Sequence, residues 1–543
     1  MPLFPVPKHF HCIFLLLISL TACQSAQSQN QKLQPLPQDT LVQVYFNHSQ
    51  AGEYQEPYRE KKRPGDNLEQ HIIDTISQAQ STVDIAVQEF KLPKIAQALV
   101  AKQASGVKVR VILENTYNRS GSDFTPEELT KLTPREKARY QEFTKFIDIN
   151  NDGKISPQEI QQRDALMILR QGKVPIIDDK KDGSRGSDLM HHKFVIVDNR
   201  YVIITSSNFT LSDIHGDFSN PSSLGNANNL VKIDSSEVAA IFTQEFNLMW
   251  GEKQANQNHS GSKFGLKKPQ RSPQTISLGN NKITINFSPT SPTQPWIESS
   301  NGLIGENLKT ASQSVDMALF VFSEQKLANI LGSQQQKSVK IRALIEPQFA
   351  YRNYSEALDM MGVALGDKCR YELDNQPWKN PITTVGVPSL QPGDLLHHKF
   401  AVLDGKIVIT GSHNWSEAAN SSNDESVLII ENPTVAAHFH REFERLYQQA
   451  KLGVPQAIQA KSTQQQKQCG VIKSRTTQES FQIVNLNTAT ATELATLPGV
   501  GEKLAQKIII TRQQRKFTSL ADVERVPGVG KKMLIKWGDR AKL

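Results

Sequence analysis

Short apolar runs recur along the chain, separated by polar stretches of helical composition. Residues 83–90 read VDIAVQEF and residues 107–114 read VKVRVILE, each the length of a buried strand. Both runs return, as VDMALFVF at 315–322 and VKIRALIE at 339–346, at an offset of 232. HHKFVIVD at 191–198 returns as HHKFAVLD at 397–404, offset 206, and VAAIFTQEF at 238–246 as VAAHFHREF at 435–443, offset 197. One unit is therefore present twice. The falling offsets place 26 extra residues of the first copy between 114 and 191, and 9 more between 198 and 238. Strands alternating with helical stretches predict an α/β layered unit in each copy. Polar stretches at 254–276 and about 452–480 separate the two copies from each other and from a C-terminal segment.

One strand in each copy carries chemistry. His191 and Lys193 stand two apart at its start, so their side chains share a face. Asp198-Asn199-Arg200 can turn the chain, and Tyr201 to Ile204 then runs back to deliver Ser206 and Asn208 beside them. The second copy repeats this with His397, Lys399, an Asp404-Gly405 hairpin turn, Ser412 and Asn414. An imidazole, an ammonium and an amide at one sheet edge suit a phosphate. The cation and amide bind oxygens while the imidazole attacks or protonates. A single His–Lys pair is more simply a core strand with a surface lysine; two copies at identical spacing favour the chemistry.

These residues resemble the phospholipase D superfamily, whose signature is H-x-K-x4-D-x6-G-S-x-N. His397 to Asn414 matches throughout, and His191 to Asn208 matches except that Thr205 replaces the glycine. The resemblance covers roughly residues 41–451. It implies two α/β/α sandwich lobes facing each other in a monomer, an internal pseudo-dimer with one active site between the motifs. It also implies that one histidine attacks phosphorus and the other protonates the leaving alcohol, with no cofactor required for catalysis. Asp198 and Asp404 are expected to support their loops. Members also carry a later N-x-E whose carboxylate orients a histidine: Asn423-Asp424-Glu425 here, against Asn226-Ala227-Asn228 in the first copy. A carboxylate raises an imidazole pKa and an amide does not. His191 is thus expected as the neutral nucleophile, and His397, paired with Glu425, as general acid. The family tendency for the N-terminal histidine to attack agrees.

Residues 148–159, DINNDGKISPQE, fall in the extra stretch of the first copy. Asp148, Asn150, Asp152, Lys154 (through its carbonyl), Ser156 and Glu159 match the EF-hand ligand positions, with Gly153 at the turn. Helical flanks are expected at 126–147 and 157–170, and Ca2+ is expected at the loop in a structural or regulatory role.

Composition then sharpens the partners. With 543 residues the chain has room for three or four domains, and 38% hydrophobic residues exclude wholesale disorder. Four cysteines exclude a disulfide-built scaffold. Of the net charge of +8, +6 lies in residues 481–543. That segment repeats a Pro-Gly-Val-Gly turn, Pro498 to Gly501 and Pro527 to Gly530. Gly499, Gly501, Gly528 and Gly530 let backbone amides approach a phosphate. Lys503, Lys507, Lys531, Lys532 and Lys536 add charge, so binding is expected to be sequence-independent and salt-sensitive. Asn485 to Ala489 and Leu497 to Gly501 resemble a tandem helix-hairpin-helix domain like that of bacterial competence DNA-uptake receptors; Leu534 departs from it.

At the other end, Lys8, His9 and His11 precede an apolar run, Cys12 to Leu20, too short to span a bilayer permanently. Leu20-Thr21-Ala22-Cys23 resembles a bacterial lipobox, which implies lipidation at Cys23, export to the cell envelope and a membrane tether through residues 24–39. Cys369 and Cys469 are then in a compartment where they can pair. The leading expectation is an exported, membrane-tethered phosphodiesterase cutting DNA without sequence preference. The alternatives are a phospholipase D acting on membrane phospholipids and a DNA-uptake receptor with inactive lobes. The intact His191, Lys193, Asn208, His397, Lys399 and Asn414 argue against the last.

Overall fold

The computed structural model describes residues 33–183, 189–251, 261–367, 369–372, 374–469, 484–495, 497, 499–530, 533–534, 537 and 541–543. Cys23, Lys531, Lys532 and Lys536 lie outside the described residues. The first copy forms a seven-stranded sheet in the order Val42–Phe46, Asn229–Asp234, Tyr201–Thr205, Lys193–Val197, Thr82–Val87, Lys108–Leu113, Ile176–Asp178. The second repeats that order with Asn281–Phe287, Ser426–Glu431, Ile407–Gly411, Lys399–Leu403, Ser314–Leu319, Lys340–Ile345 and Val385–Val387. Gln274–Leu278 and Lys451–Leu452 flank this second sheet, making nine strands. The duplication read from the offsets is thus a duplication of topology.

Three cores hold the lobes. One belongs to the first lobe, around Leu68, Ile95, Val109 and Leu169, and one to the second, around Ile304, Leu331, Ile345 and Trp415. The third is shared: Phe194, Phe242 and Phe246 of the first copy cluster with Phe287, Phe400, Phe439 and Phe443 of the second. The long helices Ser236–Trp250 and Pro433–Tyr447 line it. Phe264 joins this shared core, and Lys268 is buried between Glu245 of the first copy and Asp424 of the second, so residues 264–268 pack against both lobes. A separate small core, including Val484, Leu494, Ile508, Val523 and Trp537, holds the C-terminal unit. Among the described residues no helix is long and apolar enough to cross a membrane.

The inserted stretch is helical because each short helix is capped. Thr125 with Glu128, Thr133 with Glu136 and Ser156 with Glu159 form reciprocal capping boxes, each with proline in the first turn. The helices run Pro126–Lys131, Pro134–Ile147, Pro157–Arg163 and Ala165–Gln171, close to the expected flanks. Cys369 and Cys469 are joined by a disulfide with Cα atoms 5.5 Å apart, tying the loop after Met360 to the end of helix Gln456–Cys469.

The motif strands turn as the sequence indicates. Asp198 and Asn199 have φ of 52° and 49°, Asp404 and Gly405 have 50° and 64°, and both hairpins close with a bond across the turn. Each aspartate then anchors the preceding segment. Asp198 accepts from the amides of Gln80, Ser81 and Thr82 at 2.8–2.9 Å. Asp404 accepts in the same way from Ser312, Gln313 and Ser314. Asp404→Ala releases three amide partners at once and is expected to lower unfolding stability by about 1–2 kcal/mol in urea titration.

Candidate active site

Each motif strand is interior to its own sheet, and the residues just ahead of it pair with the other lobe. Met190 bridges Asp424 and Leu396 bridges Ala227, both in parallel. His191 N donates to Asp424 O at 3.0 Å and Asp424 N to Leu189 O at 2.9 Å. His397 N donates to Ala227 O at 3.1 Å and Ala227 N to Leu395 O at 2.8 Å. The segment ahead of each histidine is therefore laid against the N-x-E or N-x-N segment of the opposite copy.

That crossover decides the partners. Glu425 Oε2 lies 2.7 Å from His191 Nδ1, across the lobe boundary. His397 Nδ1 lies 3.0 Å from Asn228 Oδ1. The expected pairing of His397 with Glu425 is thus corrected: a carboxylate and a histidine of one copy stand on opposite sides of the site, because each copy lends its carboxylate position to the other. Asn228 orients its amide by donating Nδ2 to Asp213 O at 2.9 Å, which turns Oδ1 to His397 and fixes N–H at that ring's Nδ1. Ser206 Oγ donates to Asn228 Oδ1 at 2.7 Å, and the Ser412 hydroxyl bonds Glu425 in the same position.

The remaining expected residues converge here. His191, Lys193, His397 and Lys399 are buried, each lysine donating to the backbone carbonyl of its own histidine at 2.9 and 2.7 Å. Burial, with Lys193 and Lys399 adding like charge, holds the His191 imidazole well below its usual range. His397 is lowered in the same way, by burial and then by Lys399 and Lys193. Burial brings Lys193 down to about 8, and burial pushes the Glu425 carboxyl up. Asn208 Oδ1 and Asn414 Oδ1 are buried with no hydrogen-bond partner among the described residues, leaving binding capacity for a ligand. Gly411 has φ of 134°, and a Cβ there would meet Ser426 O at 2.2 Å. Thr205 avoids that conformation and bonds Asn229 O through its hydroxyl at 2.6 Å, so the motif departure is locally satisfied.

Three residues at the site were not legible in either motif. Gln88 lies 3.5 Å from Lys193 Nζ, while its counterpart Phe320 lies 4.9 Å from Lys399 Nζ and 4.8 Å from the His397 ring. Asp213 stands 3.8 Å from His397 Nδ1. The signal for all three lay in comparing the copies position by position.

The loop at 148–159 makes the expected tight turn, with φ of 57° at Asn151 and 77° at Gly153. Its oxygens engage the loop itself: Asp148 accepts from Asp152 N and Gly153 N, Asp152 from Lys154 N, and Glu159 from Ile149 N and Ser156 N. Asn150 Oδ1 accepts from Asp152 N. Among the described residues no three His, Cys, Asp or Glu side chains gather closely enough to hold a metal. In the C-terminal unit Gly499 and Gly528 have φ of 78° and 107°. Gly501 caps helix Glu502–Gln514, which carries the exposed Lys503 and Lys507. A Cβ at Gly501 or Gly530 would meet nothing within 4 Å. Leu534 packs against the small core.

A family model described as "Cardiolipin synthase, PLD-like domain" matches residues 72–250 and 304–447, and one described as "Helix-hairpin-helix motif" matches residues 479–539. The chain is 28% identical over 157 residues to the mitochondrial cardiolipin hydrolase of Xenopus laevis, covering 28% of this chain and 64% of that protein. It is 31% identical over 155 residues to that of Homo sapiens, covering 28% and 54%. The chain thus spans 54–64% of the length of these two relatives. Among solved structures, the phospholipase D family member Nuc from Salmonella typhimurium matches at 20% identity and a TM-score of 0.26, covering 32% of this chain and 100% of that one. Phosphatidylserine synthase from Haemophilus influenzae matches at 11% and 0.45, covering 82% and 98%. At TM-scores below 0.5 these two likenesses add no argument. The first family model takes in more than half of the sequence and both duplicated motifs, and the chain belongs to that phospholipase D-like family.

Proposed function

We propose that this protein is a phosphodiesterase that cuts DNA without sequence preference through a phosphohistidine intermediate. The observation that supports the reading is the crossover: each Nδ1 is held from across the lobe boundary, and His191, Lys193, His397 and Lys399 feel one another's charge. The Nδ1–H of His191 donates to Glu425, which makes Nε2 the more basic and supports the positive ring formed when that nitrogen bonds phosphorus. His397, backed by an amide, is the stronger acid once protonated. His191 Nε2 forms the N–P bond while the P–O bond to the leaving alcohol breaks, and that oxygen takes the proton from His397. Water then attacks phosphorus, His397 takes its proton, and the N–P bond breaks to regenerate His191. Lys193 and Lys399 neutralise the phosphate oxygens. The roles are those expected from the sequence, although the reason differs: the carboxylate marks the nucleophile.

DNA is favoured over lipid by the C-terminal unit. Gly501 and Gly530 keep open space where the protein itself would tolerate a side chain, and Lys503 and Lys507 are exposed on the helix that Gly501 opens, which suits close approach of a phosphate backbone. The lipid reading draws on the names of the relatives, which are cardiolipin hydrolases. Export and tethering through Cys23 are part of the proposal, supported by the Leu20-Thr21-Ala22-Cys23 segment and by a disulfide suited to an oxidising compartment. Calcium enters it only as a structural ligand of the 148–159 loop, which would have to draw Asp148, Asp152 and Glu159 together from their present bonds to the loop's own amides.

Anchor-free protein incubated in EDTA with plasmid and with phosphatidylcholine vesicles is expected to nick the plasmid alone. Choline release alone would establish the lipid reading, and DNA binding without turnover would return the lobes to an inactive receptor. His191→Ala and His397→Ala are both expected to lose about 10²-fold or more in plasmid nicking. With an activated aryl phosphodiester, His397→Ala is expected to release one aryl oxide and accumulate the remaining aryl phosphoryl group on His191, read by mass spectrometry. Label on residue 397 in the wild type would reverse the roles. Gly501→Ala is expected to leave the melting temperature unchanged while weakening DNA retention on a filter at low salt.

A further inference from the structure

The two halves of the site carry their carboxylates at different positions. In the second copy Asn423 Nδ2 lies 3.4 Å from Glu425 Oε1, steadying the carboxylate that meets His191. In the first copy the equivalent of Glu425 is Asn228, yet Asn226, the equivalent of Asn423, still gives its Nδ2 to a carboxylate. It donates to Asp213 Oδ1 at 2.5 Å. The other oxygen of Asp213 accepts the backbone amide of Asn208, the motif asparagine, at 2.8 Å. Oδ1 lies 3.8 Å from His397 Nδ1, and the residue is 4% exposed.

The second copy has no such group. Asp213 is the third residue of a short helix, Leu211–Ile214, where Thr210 caps its amide. At the motif offset of 206 the matching helix, Glu417–Ser421, carries Ala419 at its third position, capped by Ser416 in the same way. The chain thus lacks a carboxylate where the repeat would place one and has an extra one where the repeat has alanine, with the same asparagine amide touching both. Burial of a carboxylate is costly, and Asp213 is held by contacts that fix its direction towards one ring.

We propose that Asp213 is the displaced carboxylate of the first copy, a positioning residue that supports positive charge on His397 while that ring holds the proton destined for the leaving oxygen. This rests on the reading of His397 as general acid. The groups facing the pair weigh against one another. Burial, then Lys399, Lys193, His191 and His398, disfavour a protonated His397; burial also raises the Asp213 carboxyl, while its bonds from Asn226 and Asn208 and the charge of Lys193 favour its ionised form. Asn228 offers a carbonyl oxygen without a charge, so among the described residues Asp213 supplies the carboxylate within 4 Å of the His397 ring, and its removal takes that charge away. A carboxylate close to an imidazolium raises its pKa, so neutralising Asp213 lowers the pKa of His397. The protonated fraction at a given pH falls, and the alkaline limb of kcat moves to lower pH.

Asp213→Asn keeps an acceptor for the Asn208 amide and removes the charge. In that variant the alkaline limb of kcat on plasmid DNA is expected to move down by about 1 unit or more. The DNA rate is expected to fall about tenfold or more, because an alkoxide must be protonated as it leaves. On bis(p-nitrophenyl) phosphate, whose leaving group needs no proton, the first-turnover burst is expected to change less than about threefold. Asn228→Asp in the same background, which returns a carboxylate to His397 Nδ1, is expected to recover the limb and most of the DNA rate, and Asn228→Asp alone to move the limb upward. Equal losses on both substrates, or an unmoved limb in the single and double variants, would overturn the proposal. A wild-type protein inert on both substrates would overturn the parent reading, and this one with it.

Discussion

Two short parallel bridges, Met190 to Asp424 and Leu396 to Ala227, are the contact on which the site depends. Neither lobe completes a catalytic histidine alone, because the atom that orients each ring belongs to the other lobe. The bridges are in turn held by buried charge. Lys268 Nζ reaches Asp424 Oδ1 at 2.5 Å and also binds Glu245, which accepts from His192, the neighbour of the catalytic His191. In the second lobe His398 contacts Glu442 at 3.0 Å, and Arg445 takes the place of Lys268. Such buried pairs add little net stability over an apolar core, but removing one member leaves a stranded charge. Their effect here is positional: they clamp the strand starts from behind.

The shared aromatic core makes the same geometry permanent. Phe194, Phe242 and Phe287 pack edge to face at 5.1–5.2 Å, and Phe400 with Phe439 repeats the contact at 5.1 Å. His192 and His398, each next in sequence to a motif histidine, pack edge to face on Phe194 and Phe400 of this core. The same burial also removes water from the imidazoles and lysines, which lowers their pKa values, favours neutral imidazoles and weakens the hold of both lysines on their protons.

Much of this was legible in the sequence. The repeat offsets indicated two α/β units, which form sheets of seven and nine strands with seven in the same order, and the strand-turn-strand motif indicated that each histidine and lysine share a strand start. The partner of His191 was not legible, because sequence proximity within a copy says nothing about which lobe a segment crosses to. Glu425 follows its own motif closely in sequence yet serves the opposite histidine. Asp213 escaped for a different reason: it follows Asn208 in the first copy only, and a repeat pattern conceals what the repeats do not share. Lys268 sits in a polar stretch that reads as linker, and only tertiary placement shows it buried between Glu245 and Asp424.

The two halves, though duplicated, have ceased to be equivalent: Gln88 stands where the repeat has Phe320, Asn228 where it has Glu425, and Asp213 where it has Ala419. Two identical halves around a twofold axis would leave their two histidines interchangeable. Unlike halves take away that symmetry, so each imidazole of the fused chain has surroundings of its own, a carboxylate at one Nδ1 and an amide oxygen at the other.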